Sequence, residues 1–256
     1  MHTIDSLLKD LESLGLKPED TVMIHSSMRR IGDVEGRADG VLDALSSYFA
    51  PGLIALPTLT YDIVNDKQPI YSANDSPCCT GILPELFRKR PDVVRSLSPT
   101  HSLAALGKDA ADFVSGHERF DSPAPRQSPW GRLYDRYAKI VFIGCSISHN
   151  TFLHGVEEWL PVPGMLTESH QNLIVIDQNG RRTPCPMRRH VGGHSTWYAQ
   201  AEPLFYSIGA LHTGTFGDAP VHVLDARKAG DAVYALLKNC PLYFTQEHQD
   251  ARAALK

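Results

Sequence analysis

The sequence predicts an α/β fold: one large domain, residues 1–256, with a central, mostly buried sheet flanked by helices around a cleft. Three observations predict this architecture. Short apolar runs rich in β-branched residues alternate with stretches of helical period. The chain of 256 residues is long enough to bury one large core. Its 42% hydrophobic and 21% charged residues are the balance of an ordinary globular protein.

The first quarter of the chain has the pattern helix, strand, helix, strand. Residues 3–14 carry apolar side chains at helical spacing, and residues 21–25 form an apolar run that ends in a polar loop, residues 26–30. Residues 38–49 are helical again, and residues 53–56 form the next short apolar run. This strand, helix, strand succession predicts a βαβ unit with two parallel strands.

The second quarter alternates long loops with short elements. Residues 60–80 are rich in Asp, Asn, Ser and Pro, and a loop of that length in a compact domain is usually functional or mobile. Residues 83–90 predict a helix, residues 102–106 a strand and residues 109–117 another helix. Residues 122–131 predict a second proline-rich loop.

The clearest buried strand covers residues 139–144, a run of apolar, β-branched residues that ends at a glycine. A polar loop follows, and a helix is predicted over residues 151–159. If Asn150 or Thr151 caps this helix, His154 and Glu157 lie three residues apart on one face. Open α/β sheets place ligand sites at such strand ends.

The rest of the chain predicts a hairpin, an irregular segment, a strand and a last helix. The hairpin spans residues 173–183 and turns at an Asn-Gly pair, which supplies the positive φ angles of a tight turn. Residues 190–202 are irregular and then helical, residues 221–224 form a strand, and residues 229–238 form a helix.

Charge and cysteine content exclude several classes of protein. The net charge of −4 gives no basic field for a nucleic acid, and no apolar run approaches the ~20 residues of a membrane span. The first twenty residues lack the unbroken apolar core of a signal peptide. Five cysteines, two of them adjacent and none in a C-x-x-C pair, indicate reduced thiols. We therefore expect a soluble, cytoplasmic protein.

Two histidine-containing groups suggest chemistry. His154 can accept a proton near neutral pH, and Glu157 can fix its tautomer and stabilise the imidazolium. His190 and His194, four residues apart, would complete a three-histidine zinc site with His154. Two glycines between His190 and His194 argue against a rigid helix that presents both, so we expect no metal, and a zinc-dependent hydrolase is kept as an alternative.

The polar loop after the first strand suits an anionic ligand. His25, Ser26 and Ser27 are followed by Arg29 and Arg30, which together supply hydroxyls, backbone donors and two cations. The loop is not glycine-rich and matches neither a P-loop nor a dinucleotide-binding fingerprint.

Several motifs occur in one order along nearly the whole chain: His25-Ser26-Ser27, Ala55-Leu56-Pro57-Thr58, Gly81-Ile82-Leu83-Pro84-Glu85-Leu86-Phe87-Arg88, Arg95-Ser96, Ala104-Ala105-x-Gly107, Ser128-Pro129-x-Gly131-x-Leu133-Tyr134, Asn150-Thr151-x-Leu153-His154-x-x-Glu157 and Gly214-x-Phe216-Gly217-x-Ala219. Together they resemble the aminoglycoside 3-N-acetyltransferase family.

The resemblance implies an acyltransferase that uses acetyl-coenzyme A as co-substrate and passes the acetyl group directly to a small-molecule amine on an aminoglycoside-like or amino-sugar acceptor. His154 would be the general base, with Glu157 and His194 as further catalytic residues. Contacts to acetyl-coenzyme A would come from the loop after the first strand, and from Thr100 and Ser102.

The chain departs from the family pattern downstream of the histidine motif. Relatives often carry an acidic residue there, whereas residues 188–194 of this chain read Arg-Arg-His-Val-Gly-Gly-His. This change favours an acceptor less charged than an aminoglycoside. A non-catalytic ligand-binding relative is a second alternative, and a homodimer is an assembly that the sequence leaves open.

Overall fold

The computed structural model describes residues 1–254. Within that range the α-helices are α1 (Ile4–Ser13), α2 (Met28–Ile31), α3 (Arg37–Tyr48), α4 (Ile82–Phe87), α5 (Ala110–Val114), α6 (Pro129–Asp135), α7 (Thr151–Trp159), α8 (Glu202–Ser207), α9 (Ala226–Asn239) and α10 (Gln246–Ala254). The strands are β1 (Thr21–Ser26), β2 (Leu53–Pro57), β3 (Ile70–Ser72), β4 (Val94–Arg95), β5 (Leu103–Gly107), β6 (Lys139–Ile143), β7 (Ile174–Ile176), β8 (Arg182–Pro184), β9 (Leu211–Phe216) and β10 (Ala219–Asp225). Short 3₁₀ helices cover His117–Arg119, Ile147–His149 and His194–Ala201.

A seven-stranded sheet forms the centre of the protein, in the order β4-β5-β2-β1-β6-β10-β9. Strand β1 pairs in parallel with both β2 and β6, whereas β10 runs antiparallel to β6. The register aligns His25 with Phe142 and Phe142 with His222, so these three side chains follow one another across neighbouring strands. Strands β1, β2 and β6 therefore end at the same edge of the sheet.

Strands β1 and β6 lie in the middle of the sheet because both of their faces are apolar. Val22 and Ile24 pack into a core with α1 and α3, while Met23 packs into a core on the opposite face. Strand β6 alternates in the same way, with Phe142 and Ile143 in different cores. Helices therefore cover both faces, as expected for strands that are apolar throughout.

The structure confirms the predicted fold class. The first two strands are parallel neighbours joined through α3, which is the predicted βαβ unit. The predicted hairpin is present as β7 and β8, which are antiparallel. Together with β3 they form a second, three-stranded sheet.

Several elements escaped the sequence analysis, among them β4 and α6, whose first residues lie in the predicted loop 122–131. Strand β3 lies in the predicted loop 60–80, and α2 lies where a loop was expected. Both are only three or four residues long, too short for a periodic signal. Strand β9 is an edge strand with four exposed residues between two buried ends, so its composition is that of a loop. Helix α10 has no buried residue.

No helix within residues 1–254 is both long enough and apolar enough to span a membrane.

Candidate active site

A cavity of about 1220 Å³ opens at the shared end of β1, β2 and β6. The residues after β1 and β6 form one part of its wall, and the start of α7 contributes His154. The segments that follow β2 and β8 complete it. The site thus lies at the carboxyl ends of parallel strands, where the sequence predicted it.

His154 is held by two groups that contact the same ring nitrogen. Its Nδ1 lies 2.6 Å from the hydroxyl of Tyr198 and 3.5 Å from Oε2 of Glu157. The hydroxyl of Tyr198 also donates to Oε2 of Glu157. Tyr198 comes from the 3₁₀ helix His194–Ala201, so that helix completes a network that α7 begins.

Glu157 is a fully buried carboxylate with three neighbours. Its Oε1 accepts from Nδ1 of His194 at 2.7 Å, and Oε2 faces Tyr198 and His154. Burial by itself raises the pKa of a carboxyl, but hydrogen bonds with His154 and His194 outweigh it and lower the pKa of Glu157 to about 2. Glu157 is therefore ionised at neutral pH.

The network assigns the protons. Ionised Glu157 can only accept hydrogen bonds, so the single hydroxyl proton of Tyr198 points to it. Burial holds the pKa of Tyr198 well above its usual value, and the Glu157 charge raises it further, so this proton stays in place. The hydroxyl oxygen then accepts from Nδ1–H of His154. The lone pair of the neutral imidazole is consequently on Nε2.

His190 and Glu158 form a second buried pair beside the first. Nε2 of His190 lies 2.7 Å from Oε1 of Glu158, and the His190 ring stacks on His154 with centroids 4.3 Å apart. Burial raises the pKa of Glu158 to about 7, even though Ser122 and the amide of Ala124 donate to it. Burial likewise lowers the pKa of His190 well below its usual range.

The β1 end of the cavity contains the predicted acetyl-coenzyme A loop. His25, Ser26 and Ser27 line the cavity, and the His25 ring stacks on Phe142 with centroids 5.1 Å apart. Burial lowers the pKa of His25 to about 3, so the imidazole is neutral. The buried Nε2 of His25 and the buried hydroxyl of Ser26 have no hydrogen-bond partner among the described residues.

Arg29 and Arg30 are exposed and line the same end of the cavity. Neither forms an ion pair with any residue between 1 and 254. The loop therefore presents two free cations next to backbone donors.

Thr100 and Ser102, the other two residues predicted to contact acetyl-coenzyme A, are fully buried and do not line the cavity. The hydroxyl of Thr100 pairs with Nδ1 of His101 at 3.0 Å. The hydroxyl of Ser102 donates to the carbonyl of Thr58 at 2.6 Å and accepts from Nε of the buried Arg95 at 3.2 Å. Both hydroxyls thus act inside the protein.

The described residues do not assemble the alternative zinc site. Within residues 1–254 no group of three His, Cys, Asp or Glu side chains is placed to bind a metal ion. The rings of His154 and His190 are nearly parallel, with an interplanar angle of 23°, and stack face to face. Nδ1 of His194 is engaged by Glu157. The three imidazoles therefore do not converge on one point.

The structure brings together the three predicted catalytic residues, His154, Glu157 and His194, and adds two that the sequence analysis missed. Tyr198 is 44 positions after His154, and no motif connects them. Glu158 is adjacent to Glu157 in sequence, but its burial and its contact with His190 appear only in three dimensions. Asn150 is the N-cap residue of α7, but its side chain makes no capping hydrogen bond.

Comparison with known families matches residues 23–238 to the model described as Aminoglycoside 3-N-acetyltransferase. The SPbeta prophage-derived aminoglycoside N(3')-acetyltransferase-like protein YokD of Bacillus subtilis is 32% identical over 181 residues, which cover 62% of this chain and 66% of the relative. Aminoglycoside N(3)-acetyltransferase VII of Streptomyces paromomycinus is 30% identical over 189 residues, which cover 67% of this chain and 65% of the relative. The chain thus spans just under two thirds of each of these relatives.

A solved structure of AAC-IIIb in a binary complex with CoASH has the same fold, with a TM-score of 0.81. It is 24% identical in sequence, and the superposition covers 93% of this chain and 96% of that one. The family model, the relatives and the fold agree with the motifs found in the sequence. The chain belongs to the aminoglycoside 3-N-acetyltransferase family.

Proposed function

We propose that this protein is an acyltransferase that transfers the acetyl group of acetyl-coenzyme A to an amine of an aminoglycoside-like or amino-sugar acceptor. Family membership supports the reaction class. The use of coenzyme A is supported by the AAC-IIIb complex, which shares the fold. The cavity is consistent with two substrates, because the polar β1 loop, His154 and the segments after β2 and β8 all line it.

One observation carries the proposal. Nδ1 of His154 is occupied by Tyr198 and Glu157, whereas Nε2 has no hydrogen bond to a described residue, and the side chain lines the cavity. A neutral imidazole with its free lone pair at the cavity is the arrangement that a general base requires. The buried charge of Glu157 then stabilises the imidazolium that forms.

In the proposed reaction His154 takes a proton from the acceptor amine as the amine nitrogen attacks the thioester carbonyl. The new C–N bond forms as the carbonyl oxygen becomes an oxyanion. Collapse of this tetrahedral species breaks the C–S bond, and the proton on His154 can pass to the departing thiolate. The base is then neutral again, and no covalent intermediate with the enzyme is required.

The loop after β1 is proposed to bind acetyl-coenzyme A. Arg29 and Arg30 supply positive charge for the phosphates, and the backbone of Ser26 and Ser27 supplies donors near the thioester. The neutral state of His25 suits a position near the acyl group, where a charged imidazole would need a counter-ion.

The test combines purified protein, acetyl-coenzyme A and a panel of amines, with the acetylated product measured by mass spectrometry. This readout avoids thiol reagents, which the five cysteines of the chain would consume. We expect a mass gain of one acetyl group on at least one amine, and loss of that product in His154→Ala. Saturable binding of acetyl-coenzyme A without transfer to any amine would instead indicate a non-catalytic relative.

A further inference from the structure

The cavity that contains His154 has an unusual charge. Within residues 1–254, its lining includes three arginines and no aspartate or glutamate. Two of the arginines, Arg29 and Arg30, lie at the β1 end that the proposed function assigns to acetyl-coenzyme A. The third, Arg189, follows β8 and reaches the cavity next to His190.

The two carboxylates of α7 near the site are already paired. Glu157 is covered by His154, His194 and Tyr198. Glu158 is covered by His190 and accepts from Ser122.

Two further carboxylates lie beside lining residues. Glu85 pairs with Arg88 and Lys89 at 2.7 Å each. Asp62 is exposed near Cys79, and its charge, like that of Asp66, favours the charged form of Arg189. The described lining of the cavity therefore provides no carboxylate that could bind the ammonium groups of a polycation.

Arg189 is a half-buried cation without a carboxylate within 4.0 Å among the described residues. Its Nη1 donates to the carbonyl of Val64 at 2.9 Å and to Oε1 of Gln171 at 3.3 Å, and its Nη2 donates to the carbonyl of Tyr61. These neutral acceptors fix the guanidinium, whereas the carboxylates of Asp62 and Asp66 favour its charge only from beyond ion-pair distance. Since arginine has five N–H donors, two remain for a ligand.

A partly desolvated cation without a counter-ion in direct contact gains free energy when a ligand supplies that negative charge. Burial lowers the pKa of Arg189, which reflects the cost of desolvating its charge. The guanidinium matches carboxylates and phosphates because its donors are planar and parallel. Its neighbour Arg188, in contrast, pairs with Asp121 at 3.3 Å and does not line the cavity.

We infer that the acceptor is an amine that also carries one anionic group, a carboxylate or a phosphate, and that Arg189 binds that group. The inference rests on the proposed function, since it places the acceptor beside His190, which stacks on the proposed base His154. Polycationic amines fit this site poorly, because Arg189 repels them and no lining carboxylate among the described residues attracts them.

The experiment measures binding and transfer separately on the protein saturated with coenzyme A or acetyl-coenzyme A. The probes are glucosamine 6-phosphate, muramic acid, glucosamine, which has no anionic group, and the polycation kanamycin. Calorimetry gives the dissociation constant of each, and mass spectrometry gives the rate of acetyl transfer. The first two probes distinguish a phosphate from a carboxylate.

We expect at least one anionic probe to bind at least tenfold more tightly than glucosamine, and kanamycin to bind most weakly. Arg189→Gln should remove the preference for the anionic probe while glucosamine affinity changes less than threefold. Arg188→Gln, the matched control, should keep the preference. Unchanged glucosamine affinity also shows that Arg189→Gln is folded.

Kanamycin binding as tight as that of the anionic probes overturns the inference, and so does an anion preference that survives Arg189→Gln or the absence of binding by either anionic probe. The proposed function is tested by a separate measurement, the rate of acetyl transfer. If kanamycin or glucosamine is acetylated without any anion preference, the transferase proposal stands and the acceptor inference falls. If an anionic probe binds through Arg189 and no amine is acetylated, the anion-binding role of Arg189 stands and the transferase proposal falls.

Discussion

The hydroxyl of Tyr198 lies 2.6 Å from Nδ1 of His154 and donates its own proton to the buried carboxylate of Glu157. Glu157 alone lies 3.5 Å from the same nitrogen, too far for a strong hydrogen bond. Tyr198 therefore connects the two residues of the sequence motif, and it fixes the tautomer that the proposed base requires.

The proposed base is tested by His154→Ala. General-base catalysis typically contributes about 10²- to 10⁴-fold, so the turnover rate should fall by roughly that factor. The affinity for acetyl-coenzyme A should stay within about twofold, because the β1 loop is unchanged. Steady-state kinetics and calorimetry measure the two quantities. A variant that retains most of its turnover with a verified acceptor would remove His154 from the mechanism.

Tyr198→Phe tests the role of the hydroxyl in positioning His154. The ring can keep its edge contact with Phe244, so the core should be preserved. Loss of a hydrogen bond worth about 0.5–1.5 kcal/mol predicts a roughly two- to twelvefold decrease in turnover. The pH profile of turnover should also shift, since Nδ1 then loses its partner. An unchanged profile and rate would show that the hydroxyl does not set the tautomer.

Glu157→Gln tests the buried charge. The amide keeps the shape of the side chain but removes the charge that stabilises an imidazolium, and its NH₂ group cannot accept from Tyr198 or His194. We expect a larger loss of turnover than in Tyr198→Phe and a smaller loss than in His154→Ala, because the base itself remains. Thermal unfolding should also show destabilisation, since buried hydrogen bonds are lost. Full activity in Glu157→Gln is incompatible with the proposal.

Arg29→Ala and Arg30→Ala test the phosphate contacts of the β1 loop. Each exposed cation that contacts a phosphate should contribute about 0.5–1.5 kcal/mol, so each substitution should weaken acetyl-coenzyme A binding roughly two- to twelvefold. The effect should diminish at high salt. Arg227→Ala, which alters a cation stacked on Tyr134 outside the cavity, is the control. Equal affinities in all three variants would place the phosphates elsewhere.

Stability should fall as the pH decreases below 6.5. Burial lowers the pKa of His25 and of His117 from 6.5 to about 3. Between those values the unfolded chain binds protons that the folded protein does not, so each residue reduces stability by about 1.4 kcal/mol per pH unit. Glu158 acts in the opposite direction between pH 4.5 and about 7, because its folded pKa is raised. Burial also lowers the pKa of His101, and the resulting loss of stability at acid pH offsets the contribution of Glu158.

Urea unfolding at pH 7 and pH 5 measures this slope. His117→Gln should make the slope smaller, because one of the contributing imidazoles is removed, even if the variant is less stable at both pH values. A slope that does not change in His117→Gln would show that this residue is not kept neutral in the folded protein.

The sequence by itself determined the fold class, the central strands and the edge of the sheet where the site lies. Apolar runs at residues 21–25 and 139–144 predicted the two central strands, because a strand buried on both faces requires an unbroken apolar run. The polar residues after those strands predicted the edge of the sheet where the cavity lies. Motif order along the chain identified the family, and helical spacing placed His154 and Glu157 on one face of α7.

Only the tertiary structure decided which side chains complete the site. His190 and Arg189 line the cavity and Tyr198 contacts His154, although all three lie more than 30 positions after His154. Irregular backbone carries no periodic signal of where it folds. Thr100 and Ser102 were predicted to contact acetyl-coenzyme A, but their hydroxyls form hydrogen bonds inside the protein. Local spacing specifies neighbours within one element, whereas contacts between distant segments depend on how those elements pack.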